Sequence, residues 1–221
     1  MAKDGIIIVE FYSSDQYIAE GLNKRHPVSL KSGQTTIKLT VLEVLSGDYQ
    51  LTQVILRPDT ILSEKEEYRL YIEDLNNKAF PPKFLNEKSR NWISGPITVK
   101  RNVTTDVSAF NYMITETKKT LVSYGCGPAS WVYFNVSGLD SSTLYVRTTV
   151  KSLRSGSVTT YVLPIENGQV RVGHGMCSGA FYFKNAGDYE VTFTLTDQSY
   201  NKSITSRSLV FSQPVKATDE E

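Results

Sequence analysis

The chain has 221 residues, with 24 Lys and Arg against 23 Asp and Glu and a formal charge of +1, so no global field recruits nucleic acid or an anionic membrane. No apolar run approaches the roughly 20 residues that span a bilayer. Two cysteines and two histidines are too few for a cysteine-rich zinc site, which needs four ligands at close spacing.

At roughly 100–150 residues per domain, the length favours two modules. Residues 1–4, Met-Ala-Lys-Asp, lack the apolar stretch of a secretory signal, so the protein is either cytosolic or has lost an export sequence. Period-two alternation rich in β-branched and aromatic residues predicts strands at 6–11, 36–44, 50–56, 68–72 and 96–100. Breakers at Ser46-Gly47-Asp48 and Arg57-Pro58-Asp59 separate them.

Residues 75–95 break the rhythm, with Asn76, Asn77, Pro81, Pro82, Asn86 and Asn91 crowded together. A loop of that length is exposed, because a buried one leaves backbone polar groups unpaired. Phe80, Phe84 and Trp92 fall inside it and are the candidate ligand-binding aromatics. Packing of the loop onto the first module is the alternative use of the same side chains.

The boundary between modules is expected near 101–106, giving modules at 1–103 and 104–213 and a polar tail at 214–221. The second module is predicted to hold strands at 108–115, 130–136, 144–153, 158–163, 169–172, 180–184, 189–195 and 203–211. Asn167-Gly168 predicts a type I′ turn joining two antiparallel strands directly, since both residues tolerate positive φ. No stretch of 11 residues carries a helical stripe. The fold class is therefore all-β, with short antiparallel strands packed as sandwiches.

Tyr124-Gly125-Cys126-Gly127-Pro128-Ala129-Ser130 resembles the nucleophile motif of papain-like and bacteriocin-processing cysteine peptidases. In those enzymes the cysteine opens a helix whose N-terminus lowers the thiol pKa, and His174 would be the base. The residues that follow, Trp131 to Val136, have strand composition instead. The plainer expectation is a Cys126–Cys177 disulfide, closing a loop of 51 positions and worth roughly 4 kcal/mol if unstrained. His26 and His174 fall in different modules, and Glu64, Glu66 and Glu67 with Glu73 and Asp74 lack the alternating Asp-x-Asp-x-Asp of a calcium loop. No metal or cofactor is expected. Phosphate-loop, nucleophile-elbow and zinc-protease motifs do not occur.

Gly187, Tyr189, Val191, Phe193, Leu195, Asp197 and Asn201 follow the spacing of the last hairpin in bacterial immunoglobulin-like and PKD-type domains, which the chain resembles there. Tyr200 stands where that pattern has glycine. In the first half Pro58, Leu62, Tyr68, Leu70 and Ile72 resemble a second bacterial immunoglobulin-like pattern. The resemblance implies two tandem immunoglobulin-like antiparallel β-sandwich domains, with Tyr189 at a strand corner where its hydroxyl ties down the chain.

It further implies an extracellular, periplasmic or cell-surface location, reached through an export or lipoprotein signal no longer present. The function expected on that basis is non-catalytic binding, adhesion or scaffolding towards a protein or surface glycan. A carbohydrate-binding module using Trp92, Phe80 and Phe84 is the second expectation, and a cysteine hydrolase with Cys126 and His174 the third.

Overall fold

The computed structural model describes residues 5–73, 83–85, 92–93, 97–98, 112–125, 127–138, 144–184 and 186–215. The elements of the first half are β1 (Ile7–Tyr12), α1 (Gln16–Gly21), β2 (Val28–Ser32), β3 (Thr35–Ser46), β4 (Leu51–Pro58), β5 (Glu67–Ile72), β6 (Lys83–Leu85), β7 (Trp92–Ile93) and β8 (Ile97–Thr98). The second half holds β9 (Met113–Tyr124), β10 (Gly127–Ser137), β11 (Tyr145–Ser152), β12 (Val158–Pro164), β13 (Gln169–His174), β14 (Asp188–Thr196), β15 (Lys202–Thr205) and β16 (Leu209–Ser212). Every pairing between these strands is antiparallel, and the protein is an all-β sandwich.

Strands of the first half follow one hydrogen-bonded path, β7-β6-β1-β4-β3-β2-β5-β8. The path folds back on itself at β3. Its first residues, up to Lys38, pair with β2, and those from Leu39 onward pair with β4. A register shift between Val41 and Glu43 marks the bend, as a bulge does when one strand turns from one sheet to another. Between the two layers lie Ile7, Val9, Phe11, Val54 and Leu56 on one side and Val28, Leu30, Tyr68 and Ile72 on the other. The short helix α1 contributes Ile18 and Ala19 to the same core. Ser63 N donates to the Tyr68 hydroxyl at 3.1 Å, tying the loop before β5 to its first turn of strand.

The second half is a true two-sheet sandwich. The sheet β13-β10-β9 faces β12-β11-β14-β15, with β16 also on β14. Val132, Phe134, Val170 and Val172 from the first meet Val146, Val150, Val191, Phe193 and Leu195 from the second. Asn167 and Gly168 have φ of 52° and 72°, the type I′ values their identities demand. Glu166 and Gln169 exchange both backbone hydrogen bonds across that turn. The turn is a corner, however: β12 pairs with β11 and β13 with β10, so the chain passes here from one sheet to the other.

Several expectations are corrected. Helix α1 and strand β2 lie between 12 and 35, where no element is predicted, and β9 runs on to Tyr124, well past residue 115. Residues 180–184 form no strand, because Phe181 and Phe183 are held by edge-to-face contacts with each other and with Tyr189 and not by a ladder. The single strand expected over 203–211 is two, β15 and β16, divided where Ser206 bonds back to Phe193. Tyr189 is buried in that aromatic cluster, stacked on Phe211. The 75–95 insertion is not wholly loop, since β6 pairs with β1 and β7 with β6. The boundary at 101–106 lies outside the described residues.

What the alternation rule misses is that β1 and β4 are buried on both faces. Ile7, Val9 and Phe11 point into the first core, whereas Ile6 and Ile8 join Leu45, Ile55, Tyr145 and Val162 in a separate cluster drawn from both halves. Burying each such side chain contributes roughly 1.5–3 kcal/mol, an upper estimate. In the middle of this junction Gln53, 1% exposed, bonds as if it were a peptide: its Nε2 donates to Val162 O (2.8 Å) and its Oε1 accepts from Val162 N (2.7 Å). Nε2 also donates to Glu10 Oε1 at 2.9 Å. Gln53→Leu strips both partners from the Val162 peptide and one from Glu10, and is expected to cost about 2–4 kcal/mol. Urea unfolding of the variant measures it; a loss within experimental error contradicts the assignment.

Candidate functional site

Around the apolar centre of the junction the two halves are stitched by polar contacts. At one end Arg57 Nη2 donates to Ser199 O (2.7 Å) and Ile6 N to Gln198 O (2.6 Å). Arg147 pairs with Glu43 and donates to the Tyr200 hydroxyl at 3.0 Å, with Lys202 at 3.5 Å from Glu43. Burial alone raises the Glu43 pKa, but the bonds from Arg147 and Tyr200 and the charges of Arg147 and Lys202 outweigh it and hold the carboxyl below its ordinary range. Tyr200 has φ of 67°, a left-handed conformation that costs a non-glycine residue on the order of 1–3 kcal/mol. Glycine would avoid that strain. The tyrosine earns its place by the hydroxyl that reaches the first half.

The hairpin between β3 and β4 forms a second set of contacts. Asp48 N donates to Ala180 O (3.1 Å), and the Asp48 carboxylate accepts from Thr159 Oγ1 (2.7 Å) and pairs with Lys184 (3.0 Å). Gly179 lies between Tyr49 and His174, bridged to each, with its N–H on Tyr49 O at 2.9 Å. Only glycine fits: a Cβ there would sit 2.4 Å from His174 Cβ. Tyr49 in turn packs edge-on to His174 (centroids 5.1 Å apart) and stacks on Tyr182 (4.9 Å).

A cleft of about 260 Å³ opens beside these contacts. The first half supplies Glu10, Tyr12 and Leu51, and the second supplies Trp131, Leu163, Pro164, Glu166 and Arg171, with Gly173, Gly175, Ser178, Gly179 and Ala180 closing one side. The residues follow from strand register. Glu10 and Tyr12 continue the junction-facing side of β1 beyond Ile6 and Ile8, and Glu10 lies opposite Gln53. Trp131 and Arg171 are on neighbouring strands, with Tyr133 directly opposite Arg171.

Glu10 is 4% exposed and accepts from Gln53 and from the Tyr12 hydroxyl. Burial, then the adjacent Glu10 charge and hydrogen bond, push the Tyr12 phenol far above its ordinary value, so it acts as a neutral donor. At the outer wall Arg171 pairs with Glu166, and its guanidinium carbon lies 5.5 Å from the centre of the Trp131 ring. Charged, planar and apolar surfaces thus converge from the two halves of the chain, the setting in which small-molecule sites commonly form.

Of the residues singled out from sequence, Phe84 sits in β6 opposite Val9 and Ile93, and Trp92 in β7 opposite Leu85, while Phe80 lies outside the described residues. Strand pairing therefore brings Phe84 and Trp92 to one edge of the first sheet, remote in sequence from the cleft. Cys126 also lies outside the described residues. Its neighbour Gly127 abuts the Met176 carbonyl, where an added Cβ would be 3.2 Å away, and Cys177 is exposed. Gly127–Ser137 is a strand, so no helix N-terminus follows Cys126 to lower a thiol pKa. Sequence reasoning passed over Glu10, Tyr12, Trp131, Glu166 and Arg171. Trp131 and Arg171 were legible as residues of predicted strands, but nothing in the sequence placed β1 against them.

No family model matches the chain, and no curated protein matches it. Among solved structures, a pullulanase from Anoxybacillus sp. LM18-11 complexed with maltotriose is similar at 11% identity and a TM-score of 0.28, over 91% of this chain and 24% of that one. The same pullulanase in a second crystal structure gives 10% and 0.28, over 90% and 24%. A cytokine receptor complex gives 10% and 0.29, over 96% of this chain and 93% of that one. The chain spans about a quarter of the pullulanase length, and likenesses this distant carry no weight below. Among the described residues no helix is long and apolar enough to cross a membrane, and no three His, Cys, Asp or Glu side chains are gathered to hold a metal.

His174 gives the junction a pH response. It is 3% exposed, and burial holds its pKa below the ordinary value, against the smaller opposing effect of its Nδ1 contact with Gly175 O. The folded state therefore favours the neutral ring. Below about pH 6.5 the unfolded chain takes up a proton that the folded one resists, so stability falls as pH drops through that value and levels off below the folded pKa. Unfolding free energies across pH 8 to 5 should show this slope in the native chain and lack it in His174→Phe; equal slopes contradict it.

Proposed function

We propose that the chain is a non-catalytic recognition protein of bacterial immunoglobulin-like type, working outside the cytoplasm, whose two modules act as one rigid platform for a protein or surface glycan. The observation that carries the reading is the cleft of about 260 Å³ built jointly by both modules. A cleft shared between modules holds its shape only if the modules are fixed, and here an apolar cluster, the Gln53–Val162 pairing and the Asp48 hairpin fix them. Rigid walls lower the ordering cost of binding.

Near-neutral net charge supports the same reading, since it leaves specificity to local groups rather than to a global field. An oxidising location favours a Cys126–Cys177 bridge, and the contact of Gly127 with Met176 supports it.

Fluorescently labelled chain is expected to bind bacterial envelope preparations saturably and to release no new reducing ends, peptides or other products from them. Thiol titration of the unfolded, unreduced protein is expected to find no free thiol. Turnover proportional to chain concentration, or absence of saturable binding to every envelope fraction, contradicts the recognition reading. Two titratable thiols contradict the bridge.

A further inference from the structure

We infer that the junction cleft binds a single neutral sugar ring, as a terminal residue or a free saccharide. This rests on the recognition reading above and names its ligand class. Size sets the first limit: about 260 Å³ lies just below the roughly 300–1,000 Å³ of sites for drug-sized ligands, so one ring fits and a folded or branched ligand does not.

Charge sets the second limit. The lining carries two carboxyl groups, Glu10 and Glu166, and one guanidinium, Arg171. An anion meets Glu10 at the buried floor. A cation meets Arg171 at the wall, where Glu166 is already paired. A neutral ligand avoids both penalties of bringing an unmatched charge out of water.

The polar groups suit hydroxyls. Carboxylates and guanidinium are planar and multivalent, with lone pairs and N–H groups beyond those their mutual bonds use. Held by Gln53 and Tyr12 on one side and by the Arg171–Glu166 pair on the other, they are oriented before a ligand arrives. Trp131, partly buried, with Leu163 and Pro164 supplies the apolar wall on which the C–H face of a sugar ring packs. Arg171 lies over the indole ring, its guanidinium carbon 5.5 Å from the ring centre.

The test is titration of the full chain with glucose, galactose, mannose, N-acetylglucosamine and their disaccharides, read by calorimetry and tryptophan fluorescence. Spermidine and inorganic phosphate serve as charged probes. At least one neutral saccharide is expected to bind saturably. Trp131→Ala is expected to weaken it about tenfold or more, and Glu166→Gln by a similar factor. Trp131→Tyr, which keeps an aromatic face, is expected to retain most of the affinity and guards against misreading a folding defect.

Trp92→Phe is expected to leave binding unchanged. Loss of saccharide binding in Trp92→Phe but not in Trp131→Ala overturns the assignment, as does binding of spermidine or phosphate in place of every sugar, or silence across the saccharide panel. If envelope binding persists unaltered in Trp131→Ala and Glu166→Gln, the sugar site falls and the recognition reading stands. If the native chain binds no envelope fraction, the recognition reading itself falls.

Discussion

Gln53 presents its side-chain amide to the Val162 peptide inside an apolar junction, and the relation between the two halves depends on that pairing. Val162 already belongs to β12, hydrogen-bonded to β11, so its outward N–H and C=O would face either water or a hydrocarbon surface. A buried peptide without partners is costly. The glutamine satisfies both groups and so permits Ile6, Ile8, Leu45 and Ile55 to close over Tyr145 and Val162. Removing the amide leaves the apolar contacts in place but withdraws the condition that lets them form.

Once the junction closes, the remaining features follow from register. From Ile6, just before β1, along the strand, the residues that face it run from apolar to polar, Ile6 and Ile8 in the centre and then Glu10 and Tyr12 towards the cleft. The same gradient appears at the opposite end, where Glu43 pairs with Arg147 and Lys202 and Arg147 donates to the Tyr200 hydroxyl. The Glu43, Arg147 and Lys202 charges keep partial access to solvent, while the centre is hydrocarbon around the Gln53 amide. The cleft lies at one polar margin of this junction, lined from both halves.

How much of this could be read in the sequence depends on the range of the interaction. Alternation puts Tyr189, Val191, Phe193 and Leu195 on one face, which is buried, and Asn167-Gly168 predicts its turn, because both signals are local. The strand Met113–Tyr124 extends past its predicted end because Thr115 to Lys119 are polar and exposed on both faces, which removes the period-two signal from a strand at a sheet margin. The helix Gln16–Gly21 has too few turns to show a stripe. Residues 180–184 have strand composition, yet their aromatic rings found better partners in the core than a ladder would have given.

The candidate site was illegible for a different reason. Ile6, Ile7, Ile8 and Val9 read as an unbroken apolar run, and such a run is consistent with burial on both faces, but the sequence does not say which surface covers the second face. Tyr200 was visible as a departure from the glycine of its turn pattern. Its reason lies across the junction, in Arg147 and Glu43. The most direct measurement of the account is residue-resolved hydrogen exchange under native conditions, comparing amides of β1 and β4 with those of β11 and β14. The account predicts that the slowest amides of both halves open with one common free energy and one denaturant dependence. Two separate openings, with the first half exchanging while the second stays protected, would contradict it.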